Sequence, residues 1–168
     1  MKYNFVEISP AGKVRITRNK LIVGMLNKPS FNQNAYGEFL GTLLRFSGKN
    51  IFSRKITILD IEGNKVLGEI RFENWNTKVT IDYLGKSYPG ELSGESGKWQ
   101  VADSELGISF ESPGLTQTDT FFEQNDMNPA MVLATLYVRG FYKMNRMMVI
   151  GAGVLIASVV IGIYLISS

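Results

Sequence analysis

The sequence predicts a mainly β protein, in which an antiparallel, barrel-like sheet surrounds one hydrophobic helix and one C-terminal transmembrane helix follows. Three observations lead to this prediction. Short runs of alternating apolar and polar residues, separated by turn residues, recur through most of residues 1–124. A segment at 129–144 is apolar at helical spacing but too short to cross a bilayer. An uncharged apolar segment then covers 147–166. The predicted domain is therefore 1–146, with a core helix at about 129–144, and 147–166 is the predicted transmembrane helix.

The strand predictions rest on alternation with a period of two. In "KVLGEIRF" (65–72), Ile70 and Phe72 alternate with Glu69 and Arg71, and the turn signal "EGN" separates this run from "KITILDI" (55–61). Strands at this spacing, joined by tight turns, indicate an antiparallel meander that can close into a barrel. The other predicted strands are 2–9, 13–17, 20–26, 78–84, 86–92, 98–103, 106–112 and 118–124.

One segment between these strands predicts a helix. In "NAYGEFLGTLLRF" (34–46), Asn34 can cap a helix, although Gly37 and Gly41 lower helix propensity. We expect this helix to pack on the barrel, and a helix lying on a membrane surface is the alternative. The apolar residues at helical spacing are Tyr36, Phe39, Leu40, Leu43 and Leu44.

The segment 129–144 predicts a helix buried in protein. Asn128 can cap it and Pro129 fits the first helical position. Leu133 and Leu136 belong to an apolar surface that covers most of the helix, so we expect both to be buried. A closed sheet is a natural container for such a helix because it buries every side. One polar stripe remains, formed by residues four apart: Thr135, Arg139 and Lys143.

The segment Met147–Ile166 predicts a transmembrane helix. Its 20 residues would extend about 30 Å as a helix, which matches the hydrocarbon core of a bilayer. A wholly buried core helix is the alternative. Lys143 and Arg146 form a basic collar before the segment and no charge follows it. The excess of positive charge on that side predicts a cytoplasmic N-terminal domain.

Small residues four apart in the predicted span provide possible helix–helix contacts. Such pairs let helices approach closely within a membrane, although small residues are also common in spans generally. The pairs are Gly153 with Ala157 and Ser158 with Gly162.

The pattern of these segments resembles the Tubby C-terminal-like superfamily, which includes phospholipid scramblases and LURP-one-related proteins. The resemblance covers roughly residues 55–144. It rests on the hairpin "DIEGNKVLGEI" (60–70), the strand "KWQV", and the late helix that follows "NP". It implies an antiparallel barrel around a hydrophobic central helix. The chain departs from the family in its short domain and extra apolar segment, and it has no match to the calcium-binding segment of scramblases.

Charge is distributed unevenly along the chain. Residues 1–55 carry ten Lys/Arg and two Asp/Glu, whereas residues 56–126 carry five and thirteen. The two segments can pair within one fold and cancel, or the basic one can bind an anionic lipid surface. The densest basic run, "KVRITRNK" (13–20), supplies the candidate residues for lipid or partner binding, with a solvated strand face as the alternative. These residues are Lys13, Arg15, Arg18 and Lys20.

Several classes of site are not expected. The chain has no His and no Cys, which excludes Ser–His and Cys–His catalysis, Cys/His zinc sites and disulfides. No phosphate-binding glycine loop occurs. "DIEGN" (60–64) lacks the later ligands of a calcium loop and predicts a hairpin turn. We therefore expect no catalytic residues, metal or cofactor, and no nucleic-acid partner.

The function expected from these observations is that of a membrane-anchored, noncatalytic module that binds lipid headgroups or a membrane protein partner. The start "MKYNFVEIS" shows no signal-peptide pattern. Two alternatives stay open. One is a structural subunit of a larger membrane complex or homo-oligomer, and the other is scramblase-like lipid transport.

Overall fold

The computed structural model describes residues 2–9, 13–28, 33–50, 53–73, 78–92, 99–103, 106–110, 119–123 and 128–141, with side chains for 13–28, 33–50, 53–73, 78–90 and 128–141. These residues form one antiparallel sheet and one helix. The strands, numbered along the chain from β1 to β12, are Lys2–Ser9, Lys13–Arg18, Leu21–Asn27, Ala35–Phe39, Thr42–Gly48, Lys55–Asp60, Val66–Glu73, Lys78–Tyr83, Lys86–Leu92, Trp99–Asp103, Leu106–Phe110 and Asp119–Glu123. The helix α1 includes 129–141.

The sheet is a meander, as the alternating pattern predicts. Each strand from β1 to β11 pairs with the next one along the chain, and β12 returns to pair with β1. The edge strands β11 and β12 come within 8 Å of each other in places. No hydrogen-bonded ladder joins them in the described part of the chain, so the antiparallel sheet is confirmed but the predicted closure is not.

Helix α1 is buried on every side, and the expectation that Leu133 and Leu136 are buried is confirmed. Asn128 caps it as predicted, with its side-chain oxygen accepting a hydrogen bond from the Ala130 backbone N–H at 3.0 Å. The predicted polar stripe is wrong at Thr135, which is fully buried. Its hydroxyl donates to the Met131 carbonyl at 2.7 Å, and this bond within the helix satisfies the hydroxyl without water.

The predicted helix at 34–46 is wrong, because this segment forms the hairpin of β4 and β5. Leu40 and Gly41 make its turn, and both have positive φ. Gly37 faces the core, where Leu133 of α1 lies so close that a Cβ on Gly37 would meet it at 2.9 Å. A side chain at this position would therefore push the helix away from β4.

The predicted transmembrane helix lies outside the described residues. Among those that are described, no helix combines the length and apolarity needed to cross a bilayer. The predicted collar and the four small residues of the span also lie outside the described residues: Lys143, Arg146, Gly153, Ala157, Ser158 and Gly162.

Strands β2–β5 and β6–β9 form two units with matching registers, which we call the first unit and the second unit. Ile16 pairs with Gly24 in the first unit and Ile58 pairs with Gly68 in the second, and the register shifts just after each pair. Each glycine lies against a backbone carbonyl oxygen of the adjacent strand, where a Cβ would overlap it. Both units then turn through a Leu-Gly pair, at 40–41 and at 84–85.

The two ends of the sheet differ in what they carry. The β2–β3, β4–β5, β6–β7 and β8–β9 turns share one end, which we call the turn end, because alternate turns of a meander lie on the same side. Helix α1 runs away from it, since Gly140 lies beside Lys28, just after β3, and Phe141 stacks on Phe72, near the end of β7, at 4.2 Å. The chain therefore leaves α1 at the opposite end.

Candidate lipid or partner surface

The outward face of the first unit combines basic and apolar side chains. Arg15, Met25, Glu38 and Leu43 are cross-strand neighbours that form one row over β2–β5. Met25 is 49% exposed and Leu43 is 43% exposed. Neither side chain contributes to the core, so this row presents apolar area to the surroundings beside a guanidinium group.

A second row on the same face lies closer to the end at which α1 finishes. It contains Lys13, Asn27, Tyr36 and Arg45 as cross-strand neighbours. The guanidinium carbon of Arg45 lies 5.6 Å from the centre of the exposed Tyr36 ring, which is within cation–π distance. The two rows contain eight residues, of which Glu38 is acidic and Asn27 is neutral and polar. We call the other six the basic face: Lys13, Arg15, Met25, Tyr36, Leu43 and Arg45.

The second unit shows that the fold does not require this composition. The row that matches Arg15, Met25, Glu38 and Leu43 in register consists of Thr57, Glu69, Asp82 and Ser87. All four are polar, so two strand units with matching registers carry different outward surfaces. Only the first presents large apolar side chains at these positions.

Charges on the outward face of the second unit are paired with one another. Arg71 contacts Asp82 at 2.6 Å and Glu69 at 3.6 Å, and Glu69 also pairs with Lys55. The Ser87 hydroxyl donates to Asp82. This network is typical of a solvated sheet face, where each exposed pair contributes little to stability.

The four basic residues predicted as a binding site do not form one compact cluster. Lys13 and Arg15 are exposed on the basic face, whereas Arg18 is half-buried at the end of β2 and Lys20 is exposed in the next turn. Residues 13 and 18 of an extended strand lie about 17 Å apart. Among the described side chains, no ion pair involves Lys13, Arg15 or Lys20. Two acidic groups of the middle segment, Glu69 and Asp82, pair with Lys55 and Arg71.

A buried lysine lies beside Gly140, near the last described residue of α1. Lys28 is 5% exposed, and its ammonium nitrogen lies 5.6 Å from the Tyr137 ring centre and 6.0 Å from that of Phe141. Desolvation by burial lowers the pKa of Lys28 to about 8. The Tyr137 hydroxyl donates to the Gln33 carbonyl at 2.7 Å, and burial raises the pKa of that hydroxyl. These contacts connect α1 to the link between β3 and β4.

The described residues provide no metal-ligand cluster of acidic side chains. "DIEGN" forms a hairpin turn, as predicted. One Asp60 carboxylate oxygen accepts hydrogen bonds from the backbone N–H groups of Asn64 and Lys65, at 2.9 and 3.2 Å. The carboxylate is therefore occupied in closing the turn.

Sequence reasoning missed Met25, Tyr36 and Leu43. The helical spacing of 34–46 predicts that Tyr36 and Leu43 belong to a helix. Met25 lies in a predicted strand, but the sequence does not specify which strand pairs with it. The repeated Leu-Gly pairs at 40–41 and 84–85 are the signal that could have revealed the two units and their outward positions. Lys28 gave no such signal, because it lies in the polar run "NKPS".

No protein-family model, curated protein or solved structure matches the chain. The resemblance to the Tubby C-terminal-like superfamily therefore stays a prediction.

Proposed function

We propose that this chain is a noncatalytic module that binds the headgroups of an anionic membrane through the basic face. The observation that carries the proposal is the contrast between the two units. At matching positions the second unit pairs its charges, whereas the first exposes Met25, Tyr36 and Leu43 beside basic side chains and one acidic side chain, Glu38. Basic groups near an anionic surface contribute about 1 kcal/mol each, and the apolar groups fit the headgroup boundary.

The apolar segment 147–166 anchors the domain in the same membrane under this proposal, with the domain on the cytoplasmic side. The chain leaves α1 at the end of the sheet where Lys13 begins β2. The six residues that follow Phe141, up to Met147, reach at most about 20 Å. This short connection, with the collar residues Lys143 and Arg146 within it, supports an orientation in which the domain stays close to the bilayer.

The superfamily resemblance forms part of the proposal as well. A hydrophobic helix buried on every side against antiparallel strands is the arrangement that the resemblance implies. Lipid transport of the scramblase kind is an extension of that resemblance. A structural subunit is the second candidate, and the pairs Gly153/Ala157 and Ser158/Gly162 in the sequence favour it.

Lysine footprinting of the full chain tests the proposal. The chain is reconstituted into nanodiscs of phosphatidylcholine, with or without phosphatidylserine, and acetylated briefly. Mass spectrometry then gives the modification rate of each lysine. We expect Lys13 to be protected several-fold in the anionic discs relative to the neutral ones. Lys86, an exposed lysine of the second unit, is the internal control and should not change.

Equal modification of Lys13 in both lipids would contradict headgroup binding and favour the structural-subunit candidate. The anchor is tested separately by ending the chain at Arg146. The shortened chain should be released from membranes by alkaline carbonate, whereas the full chain should resist extraction. Release of the full chain would contradict the anchor without affecting the footprint result.

A further inference from the structure

The turn end of the sheet exposes aliphatic side chains that serve neither the core nor the turns. In the first unit they are Leu21, Ile22 and Leu40, which are 70%, 60% and 48% exposed. The Leu40 backbone N–H donates to the Val23 carbonyl at 3.3 Å, which places the β4–β5 turn beside the start of β3. Leu21 and Ile22 therefore begin β3 beside the β4–β5 turn that carries Leu40.

Leu40 occupies a backbone conformation that is unfavourable for leucine. Its φ is +47° and that of Gly41 is +79°, the conformation of a two-residue hairpin turn whose first position favours Asn, Asp or Gly. A side chain with a Cβ is disfavoured there by about 1–2 kcal/mol. An exposed leucine at this position therefore stabilises neither the turn nor the core.

The second unit contains a matched leucine in a different setting. Leu84 has φ of +48°, precedes Gly85, and donates its backbone N–H to the Leu67 carbonyl at 2.9 Å. It is 64% exposed. The strands beside Leu84 carry the ion-paired network on their outward face, whereas the strands beside Leu40 carry the basic face.

We propose that Leu21, Ile22 and Leu40 penetrate an anionic bilayer when the basic face lies on it, while Leu84 stays in water. This inference rests on the proposed lipid binding and identifies the groups that enter the membrane. Ile22 pairs with Thr17, on the same outward face as Arg15 and Met25. Leu21 pairs with Arg18, and Leu40 lies in the adjacent β4–β5 turn, so both are exposed at the turn end of the first unit. Lys20 immediately precedes Leu21 in the chain, and Arg18 lies two residues before Lys20.

A bilayer fits these turns better than a second copy of the chain. Lys20 is an exposed residue of the β2–β3 turn and precedes Leu21 in the chain, so two copies meeting through these turns would bring like charges together. A bilayer accepts aliphatic groups between its acyl chains and basic groups at its phosphates. Helix α1 ends at the end of the sheet opposite these turns, and only a short connection joins it to the proposed anchor. If the anchor and these turns enter the same membrane, the domain must therefore lie on its side.

Fluorescence of the full chain tests this proposal, because the absence of native cysteine allows single labelling. Leu40→Cys and Leu84→Cys are labelled with the environment-sensitive fluorophore NBD and reconstituted into nanodiscs containing phosphatidylserine. Nitroxide groups on the lipid acyl chains serve as quenchers. We expect a blue-shifted emission and several-fold stronger quenching for the label at 40 than for the label at 84.

The outcomes separate this inference from the proposed function. Protection of Lys13 without quenching at 40 would overturn the insertion of the turns and leave headgroup binding intact. Equal quenching at 40 and 84 would overturn the sideways orientation. If Lys13 shows no protection and neither label is quenched, both proposals are wrong.

A second pair of variants tests insertion without a label. Leu40→Asn and Leu84→Asn both introduce a residue that the turn conformation favours, so both should fold. Salt at 1 M shortens the screening length to about 3 Å and removes the electrostatic part of binding. We expect Lys13 protection to persist partly at high salt in the unmodified chain and in Leu84→Asn, and to be lost in Leu40→Asn. Persistence in Leu40→Asn would contradict the insertion of this turn.

Discussion

Truncating Leu136 tests whether α1 is packed as the structure indicates. The side chain is 1% exposed, and Leu136→Ala removes three carbon atoms, worth about 2.4 kcal/mol of transfer free energy at about 0.8 kcal/mol each. The cavity left in a helix surrounded by strands adds to this loss, which places the total within the range of about 2–5 kcal/mol for such changes. The free energy of unfolding is measured by urea titration followed by far-UV circular dichroism.

Two controls make this measurement specific. Leu21→Ala makes the same chemical change at a side chain that is 70% exposed, and should cost less than about 1 kcal/mol. Thr135→Ala removes a buried hydroxyl whose partner is the Met131 carbonyl in the same helix, and should cost about 1 kcal/mol. Equal losses for Leu136→Ala and Leu21→Ala would refute the packing of α1 against the sheet.

Three further changes have expected outcomes in the same urea assay. Gly68→Ala should lower the free energy of unfolding by about 1–3 kcal/mol, because its Cβ overlaps the Asp82 carbonyl, and a neutral result would contradict the close approach of β7 and β8. Tyr137→Phe should cost about 1–3 kcal/mol, because it leaves the buried Gln33 carbonyl without this hydroxyl donor, and the same substitution should be neutral if the hydroxyl bond is absent. For Lys28, the folded pKa of about 8 lies below the ordinary 10.5, so the unfolded chain binds more protons between these values and the free energy of unfolding rises with pH in that window. Lys28→Met should remove this rise, and an unchanged pH profile would show that Lys28 does not cause it.

Most of the sheet could be predicted from the sequence, because strands with one buried face alternate visibly. Ile70 and Phe72 face the core while Glu69 and Arg71 face outward, as their alternation predicts. The burial of α1 was also predictable, because a helix that is apolar almost all round must be enclosed.

The hairpin at 34–46 could not be predicted with the same rules. Its apolar residues fit a helical period, yet in the hairpin Phe39 and Leu44 face the core while Tyr36 and Leu43 face outward. The turn itself gave no signal, since Leu-Gly is not among the dipeptides favoured in two-residue hairpins.

The candidate site was predictable in its charges but not in its arrangement. Lys13 and Arg15 were identified from a dense basic run, whereas their neighbours Met25 and Tyr36 come from other strands. Which residues become neighbours depends on the register of each strand pair, and a shift by one residue moves a side chain to the other face. In this sheet, Gly24 and Gly68 lie close to backbone carbonyl oxygens of the adjacent strands. The sequence alone does not reveal these contacts.

The central claim is that the basic face, and not the matching face of the second unit, lies on an anionic membrane. Spin labels at Tyr36→Cys and Thr80→Cys occupy equivalent outward positions of the two units. Power saturation in the presence of a water-soluble nickel complex measures the exposure of each label to water in the full chain. We predict that phosphatidylserine in the nanodisc shields the label at 36 and leaves the label at 80 unchanged. Equal exposure of both labels in anionic and neutral nanodiscs would contradict the claim.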